Sequence, residues 1–357
     1  MLLTAAAQAD GPYRVIAYVA GWSMPEAIDA RKLSHINFAF ARIDDKGRMG
    51  FENTQYEAAV RSLLALKRDN PALKVLISVG GWGADGFSDA ALTESSRERF
   101  AASGVELLRR TGADGLDIDW EYPGQGVAGI RHRPEDGQNF TEMLRVLRLR
   151  LDEESAAQGR KNRYLLTIAS ADREFFDHTE MDRLHVHLDW INVMGYDFYN
   201  SLTETTGHHA GLYASARAAP TGRNADASIR QHLAARIPAR KLVLGVAFYG
   251  RRFADVDPAN VGLNQRYGRF VDAPSYRQLA DELIDRSGYA RHWDDAAKAP
   301  FLWNGATKSF VSYEDSQSIR IKAEYVRKHG LGGMMFWELS HDRDGELLNA
   351  IVIALSE

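Results

Sequence analysis

The sequence predicts an α/β protein built on a (β/α)8 TIM barrel, with a small α+β insertion between strands 7 and 8. Eight short runs of β-branched and aromatic residues recur along the chain, and amphipathic helical segments separate most of them. This alternation indicates a parallel sheet covered by helices, and eight such units close a barrel. About 80 residues separate the last two runs, more than a loop and one helix require, which predicts the insertion.

Each predicted strand is short and rich in Val, Ile, Leu, Phe or Tyr, which favours a strand over a helix. In chain order the strands are RVIAYVAGW (14–22), HINFAFA (35–41), KVLISVGGW (74–82), GLDIDWEYP (115–123), YLLTIASA (164–171), WINVMGYDF (190–198), LVLGVAFYG (242–250) and GGMMFWELS (332–340). Helical periodicity and good helix formers predict helices over 54–69, 96–112, 140–155 and 316–330.

These elements divide the chain into a barrel over 13–250 and 312–357 and an insertion over 251–311. The insertion carries aromatic residues among polar ones, namely Tyr267, Phe270, Tyr276, Tyr289, Trp293, Trp303 and Phe310. Residues 1–12 lack the cationic start and the apolar stretch of roughly 7–15 residues that mark a secretory signal. We therefore expect them to be disordered or the remainder of a trimmed segment.

Composition excludes several classes of protein. The chain of 357 residues is 45% hydrophobic and 26% charged, as in ordinary globular proteins, with a net charge of -4 and no basic block that would bind nucleic acid. No apolar run approaches the roughly 20 residues that span a bilayer. The absence of cysteine excludes disulfides, thiolate catalysis and Cys-ligated metals. We expect neither nucleic acid nor membrane as a partner.

The fourth predicted strand carries the most informative pattern, because Asp117, Asp119 and Glu121 alternate with apolar residues. Alternate residues of a strand share one face, so all three carboxyl groups are expected to point into the barrel. Burial and mutual repulsion would raise at least one pKa strongly. Active sites of such barrels lie at the carboxyl ends of the strands, which makes Glu121 the candidate general acid.

Two other interpretations of the three acids stay open. They could be the solvated face of an edge strand, although the flanking helices indicate a buried parallel strand. They could also bind magnesium or calcium, but alternate residues of one strand span about 13 Å from first to last, too far for one ion. We predict no metal site.

The motif D-G-x-D-x-D-x-E resembles the signature of glycoside hydrolase family 18, the chitinases and their relatives. The resemblance extends along nearly the whole chain, through YVAGW, HINFAFA, SVGGW, RPEDGQNF (133–140), MGYDFY (194–199), FYGR (248–251) and FWELSHD (336–342). It implies a retaining, substrate-assisted glycosidase without a cofactor, in which the sugar's own acetamido oxygen is the nucleophile. It also implies cis peptide bonds at Ala39-Phe40, Glu121-Tyr122 and Trp337-Glu338.

The resemblance implies roles for the acidic residues. Glu121 would protonate the glycosidic oxygen while the acetamido carbonyl attacks C1 to give an oxazolinium ion. Asp119 would accept a hydrogen bond from the acetamido N–H, and Asp117 would share a proton with Asp119, so that the two titrate as a pair.

Tyr196 and Asp197 match the acetamido-binding pair of the family, with the tyrosine hydroxyl donating to the attacking oxygen and the aspartate holding the ring. Trp337 matches the aromatic floor beneath the cleaved sugar. The further substrate-binding candidates are Tyr18, Trp22, Phe40, Ser78, Gly81, Trp82, Met194, Tyr249 and Arg251. From the residues alone, the Tyr–Asp pair could be a structural contact and the tryptophans could belong to the core.

The resemblance thus predicts a chitinase whose partner is chitin or chito-oligosaccharides. We expect it to be a monomer and, because that polymer is insoluble and extracellular, to be secreted or extracellular. An endo-β-N-acetylglucosaminidase and a chitinase-like lectin without turnover remain alternatives, and in such lectins the terminal acid of the motif is usually replaced. His185, His187, His208 and His209 could suggest metal ligands, but no spaced partner completes a site. We expect them to be solvated loop residues.

Overall fold

A computed structural model describes residues 13–216 and 222–357. The expectation of a disordered or trimmed segment over residues 1–12 falls outside these ranges. No helix within them is long and apolar enough to cross a membrane.

Eight parallel strands close into a barrel, as predicted. In chain order the strands of the described chain are β1 (Arg14–Ala20), β2 (His35–Ile43), β3 (Met49–Gly50), β4 (Lys74–Gly80), β5 (Gly115–Asp119), β6 (Leu165–Ser170), β7 (Trp190–Val193), β8 (Leu242–Ala247), β9 (Arg251–Ala254), β10 (Arg269–Asp272), β11 (Ala290–Asp294), β12 (Ala299–Asn304), β13 (Ser309–Ser312) and β14 (Gly333–Trp337). The barrel order is β1-β2-β4-β5-β6-β7-β8-β14, and β14 pairs with β1 to close it. All eight predicted strands are present in it.

Helices cover the outside of this barrel. They are α1 (Thr54–Ala65), α2 (Phe87–Leu92), α3 (Glu94–Thr111), α4 (Asp136–Ala157), α5 (Glu174–Asp177), α6 (Met181–Leu184), α7 (Ala225–Ala234), α8 (Tyr276–Gln278), α9 (Ser316–Lys328) and α10 (Glu346–Ser356). Side-chain caps fix several starts: Asn53 accepts from the backbone of α1, Thr93 forms a capping box on α3, and Asp315 forms one on α9. The four helices predicted from periodicity correspond to α1, α3, α4 and α9.

Two apolar layers stabilise the barrel. The larger layer lies between strands and helices and includes Ile118, Trp120 and Phe140. A smaller layer fills the barrel interior with Ile16, Tyr18, Ala39, Phe40, Leu76, Trp190, Val243 and Met335. The interior is therefore packed, and polar side chains in it must be paired with one another or be exposed at its carboxyl end.

A second, antiparallel sheet interrupts the chain between β8 and β14. Its strand order is β10-β9-β13-β12-β11, and its own apolar cluster includes Phe253, Trp303 and Phe310. The sheet contacts the loop after β7, where the Tyr267 hydroxyl donates to the backbone oxygen of Thr203. This α+β unit between the seventh and eighth barrel strands agrees with the predicted fold.

Candidate active site

The acidic strand has the predicted orientation but ends earlier than predicted. Strand β5 stops at Asp119, so Glu121 lies on the loop beyond it. Trp120 points outward and stacks on Phe87 at a centroid distance of 5.3 Å. Asp117 and Asp119 are buried inside the barrel, whereas Glu121 is half-buried on the cleft wall. The alternation therefore places the three carboxyl groups at increasing height in the barrel.

Asp117 is the lowest and most completely hydrogen-bonded of the three. Its Oδ2 accepts from the Tyr18 hydroxyl at 2.7 Å and the Ser78 hydroxyl at 2.8 Å. Its Oδ1 accepts from the Thr167 hydroxyl at 2.6 Å and the Asn192 amide at 3.1 Å. These donors come from β1, β4, β6 and β7. Burial raises the pKa of Asp117, and the four donors oppose that rise.

Asp119 lies two residues after Asp117, nearer the carboxyl end of the barrel, and differs from it in its hydrogen bonds. Its Oδ1 is buried and has no hydrogen-bond partner in the described structure. Burial raises the pKa of Asp119 well above its ordinary value, and the charges of Glu121 and Asp117 raise it further, against the opposing charge of Arg42. The proton is therefore held more tightly on Asp119 than on an ordinary aspartate. Four other donors contact Asp117, and a proton shared by the two aspartates stays a prediction.

Glu121 has the electrostatics of a general acid. Burial raises its pKa to about 7, and the Asp197 carboxylate also raises it, although a hydrogen bond from the Tyr122 hydroxyl opposes the shift. A carboxyl group with such a pKa carries its proton in a large fraction of molecules at neutral pH and can still release it.

Tyr196 and Asp197 follow β7 and face the same cleft. Arg251 holds the Asp197 carboxylate with two nitrogens, Nε to Oδ1 at 2.7 Å and Nη2 to Oδ2 at 2.6 Å. Burial alone would raise the pKa of Asp197, but His209 and Arg251 together lower it below its ordinary value. The Tyr196 hydroxyl lies 3.9 Å from the Met335 sulfur. Asp197 is therefore an ionised and firmly held carboxylate.

Aromatic rings form much of the cleft lining. Trp337 stacks on Phe40 at 5.6 Å and is 5.6 Å from Tyr18. Trp22 lies beside these rings and is 60% exposed. Trp82 also lines the cleft, is 55% exposed, and its ring centroid lies 6.3 Å from that of Tyr122, the neighbour of Glu121. The indole rings of Trp22 and Trp82 are therefore exposed at the cleft and do not belong to the core.

The cleft has a volume of about 820 Å³ and collects most of the predicted site residues. On its wall lie Tyr18, Trp22, Phe40, Trp82, Asp119, Glu121, Met194, Tyr196, Asp197, Tyr249, Arg251 and Trp337. Three predicted residues lie behind the wall. Asp117 and Ser78 are buried beneath the floor, and Gly81 backs the Phe40 ring, where an added Cβ would lie 2.6 Å from a ring carbon. The peptide bonds Ala39-Phe40, Glu121-Tyr122 and Trp337-Glu338 are cis, as the resemblance implies.

Sequence reasoning missed several residues of the site. Arg42 lines the cleft because a register shift in β2 between Ala39 and Ala41 changes the alternation of that strand. Thr167 and Asn192 hold Asp117 from neighbouring strands. Thr167 is paired in register with Asp117, whereas Asn192 is paired with Ala169, two residues further along β6. Only the position of Thr167 could have been found from aligned parallel strands.

The expectation for the second histidine pair was wrong. His208 and His209 are 5% and 0% exposed, not solvated, because the second sheet covers their loop. His208 Nε2 lies 3.1 Å from Asp294 Oδ2, and His209 faces Asp197. His185 and His187 are half-buried. Across residues 13–216 and 222–357, no group of three or more His, Asp or Glu side chains is placed to bind a metal ion.

Comparison with known proteins identifies what the chain is similar to. The sequence profile of Glycosyl hydrolases family 18 matches residues 14–342. Chitinase A1 of Niallia circulans is 37% identical, with 98% of this chain and 59% of that protein aligned. A family 18 N-acetylglucosaminidase from Paenibacillus barengoltzii is 41% identical with a TM-score of 0.91, covering 96% of this chain and 99% of that one. The cell-surface-expressed, multi-modular chitinase ChiW of Paenibacillus sp. is 40% identical with a TM-score of 0.91, and the match covers 97% of this chain and 43% of that one.

Proposed function

The chain belongs to glycosyl hydrolases family 18, and from this membership we propose that it is a chitinase that cleaves β-1,4 bonds between N-acetylglucosamine units with retention. The observation that carries the proposal is Glu121, a half-buried acid on the cleft wall whose pKa is raised to about 7. The named relative from Niallia circulans is a chitinase. Because this chain spans 59% of that relative, chitin as the substrate is part of the proposal.

In the proposed reaction, Glu121 donates its proton to the glycosidic oxygen as the bond to C1 breaks. The same carboxylate then removes a proton from the water that opens the intermediate. A pKa near neutrality suits both steps, since the group must give up and regain one proton in each cycle.

The nucleophile in the proposal is the acetamido oxygen of the substrate, because neither neighbouring carboxyl group is free to attack. Burial and the charges of Glu121 and Asp117 raise the pKa of Asp119, which favours its neutral form and makes it a poor nucleophile. Asp197 is held by both nitrogens of Arg251. The unpaired Oδ1 of Asp119 is instead suited to accept the acetamido N–H, which would orient the amide for attack on C1.

Tyr196 and Trp337 complete the proposed pocket for the cleaved sugar. The Tyr196 hydroxyl would donate to the attacking carbonyl oxygen, and Asp197 would hold its ring in place. Trp337, supported from one side by Phe40, would present its indole face to the pyranose. Trp22 and Trp82 would extend the binding surface in the two directions away from Glu121.

The second sheet contributes to the proposed cleft. Arg251 and Ala273 line it and belong to the segment over 251–311, which we propose is a subdomain that raises one wall. Export of the protein is also part of the proposal, since chitin is an insoluble extracellular polymer and one similar structure is a cell-surface-expressed chitinase.

The test is hydrolysis of a chromogenic di-N-acetylchitobioside by the parent and by Glu121→Gln. We expect turnover by the parent and a loss of about a thousandfold or more in the variant, with binding of chito-oligosaccharides retained. Binding without turnover by the parent would favour the lectin and contradict the proposal.

A second candidate, an N-acetylglucosaminidase, is favoured by the similarity to the Paenibacillus barengoltzii enzyme. The first products released from chitohexaose distinguish a chitinase from an N-acetylglucosaminidase. A chitinase releases dimers or longer fragments from the start, whereas an N-acetylglucosaminidase releases monomers. Cleavage within the core of an N-glycan, with no action on chitohexaose, would indicate an endo-β-N-acetylglucosaminidase.

A further inference from the structure

His209 is a buried imidazole that the proposed reaction does not use. Its side chain is fully buried, and neither ring nitrogen has a hydrogen-bond partner in the described structure. Its Nδ1 lies 3.6 Å from Oδ1 of Asp197, just beyond hydrogen-bond distance. A buried N–H without an acceptor is costly, so this carboxylate is the partner toward which the ring is driven.

The backbone around His209 is fixed on several sides. Its N–H donates to the Ser312 hydroxyl at 2.8 Å, and its carbonyl accepts from the N–H of Phe198 at 3.0 Å. The next carbonyl, that of Ala210, accepts from Lys322 Nζ, which is buried in an ion pair with Glu314. The imidazole is therefore presented to Asp197 by a rigid loop and cannot easily move away.

We propose that His209 is a positioning residue for Asp197: the neutral imidazole donates from Nδ1 to Oδ1, the oxygen that also accepts from Arg251 Nε, while Arg251 Nη2 holds Oδ2. The inference rests on the proposed function, because Asp197 matters to turnover only if Tyr196 and Asp197 bind the acetamido group. The charged and titratable groups that act on the ring are Asp197, Arg251, Lys322 and, at a centroid distance of 5.3 Å, Tyr249.

A positioning role and a purely structural role predict different kinetics. Loss of the donor should let the Asp197 carboxylate, then held by Arg251 alone, shift from its position in the proposed acetamido pocket, which lowers kcat more than it raises KM. It should also raise the pKa of Asp197, because the imidazole is one of the groups that lower it. Asp197 must be ionised to act, so the acid limb of kcat/KM should move to higher pH in the variant.

The experiment compares His209→Leu, which removes the donor, with His209→Asn, which retains a shorter N–H donor. His208→Leu is the matched control, since His208 is equally buried and pairs with Asp294 outside the cleft. Chromogenic chitobioside turnover, its pH profile and thermal unfolding are measured for each.

We expect kcat of His209→Leu to fall about 10- to 100-fold with KM within about threefold, partial recovery in His209→Asn, and no change of kcat in folded His208→Leu. Full kcat and an unshifted acid limb in folded His209→Leu would overturn the inference. Equal losses of kcat in His209→Leu and His208→Leu would also overturn the inference. Absence of turnover by the parent would instead overturn the proposed function itself.

Discussion

At the scale of single residues, strand β5 and the loop after it place three carboxyl groups in three different environments. Asp117 has four donors, Asp119 has an unpaired buried oxygen, and Glu121 reaches the cleft. The alternation of acidic and apolar residues made the inward direction of these acids predictable. The environments were not predictable, because the donors to Asp117 come from strands far away in sequence.

The pKa of Glu121 leads to a prediction about pH. Because the acid must be protonated in the free enzyme, kcat/KM should fall as the pH rises through about 7, by about tenfold per unit above it. The measurement is kcat/KM for a soluble chromogenic chitobioside between pH 5 and 9. A profile that stays flat to pH 9 would contradict the assignment of Glu121 as the acid.

At the scale of elements, the strands and main helices followed from periodicity, but their ends did not. The alternation of acidic and apolar residues continues past β5 through Glu121 and Tyr122, although the hydrogen-bonded strand stops at Asp119. In β2, the register shift after Ala39 turns Phe40 and Arg42 toward the cleft. Such irregularities lie where barrel strands meet the site, and a period-two pattern cannot reveal them.

The turn after β4 provides a prediction at this scale. Gly81 has a φ of 90°, and an added Cβ would lie 2.6 Å from the Phe40 ring. We expect Gly81→Ala to displace Phe40 from Trp337, to raise KM several-fold and to lower stability by about 1–3 kcal/mol. Steady-state kinetics and urea unfolding measure the two effects.

Gly83→Ala is the control for that substitution. Gly83 has a φ of 74°, but an added Cβ would come no closer than 3.8 Å to Ala128. Gly83→Ala should therefore lose stability from the strained backbone, as Gly81→Ala does, but leave KM unchanged. An equal rise of KM in both variants would show that Phe40 is not the cause.

At the scale of the whole molecule, a buried ion pair joins the barrel to the loop that carries His209. Lys322 on α9 contacts Glu314, and both side chains are almost completely buried. Lys322 also donates to the carbonyl of Ala210, and Ser318 donates to Glu314 at 2.7 Å. Nothing in the linear sequence marked this pair, because each residue alone resembles an ordinary surface charge.

We expect Lys322→Met to lower the free energy of unfolding by about 3–5 kcal/mol, because it leaves the Glu314 carboxylate buried without an opposite charge. The double variant Lys322→Met/Glu314→Leu should recover much of that loss, since no unpaired charge remains. Urea unfolding of the three proteins is the measurement. Equal stability of Lys322→Met and the parent would show that the pair is not buried in solution.

The central claim is that the substrate's own amide oxygen displaces the leaving group while Glu121 protonates it. The most direct test compares kcat/KM for a chromogenic di-N-acetylchitobioside with that for its analogue bearing free amines. Our account predicts that removal of the acetyl groups lowers kcat/KM by about a thousandfold or more. Comparable cleavage of the two glycosides would contradict it.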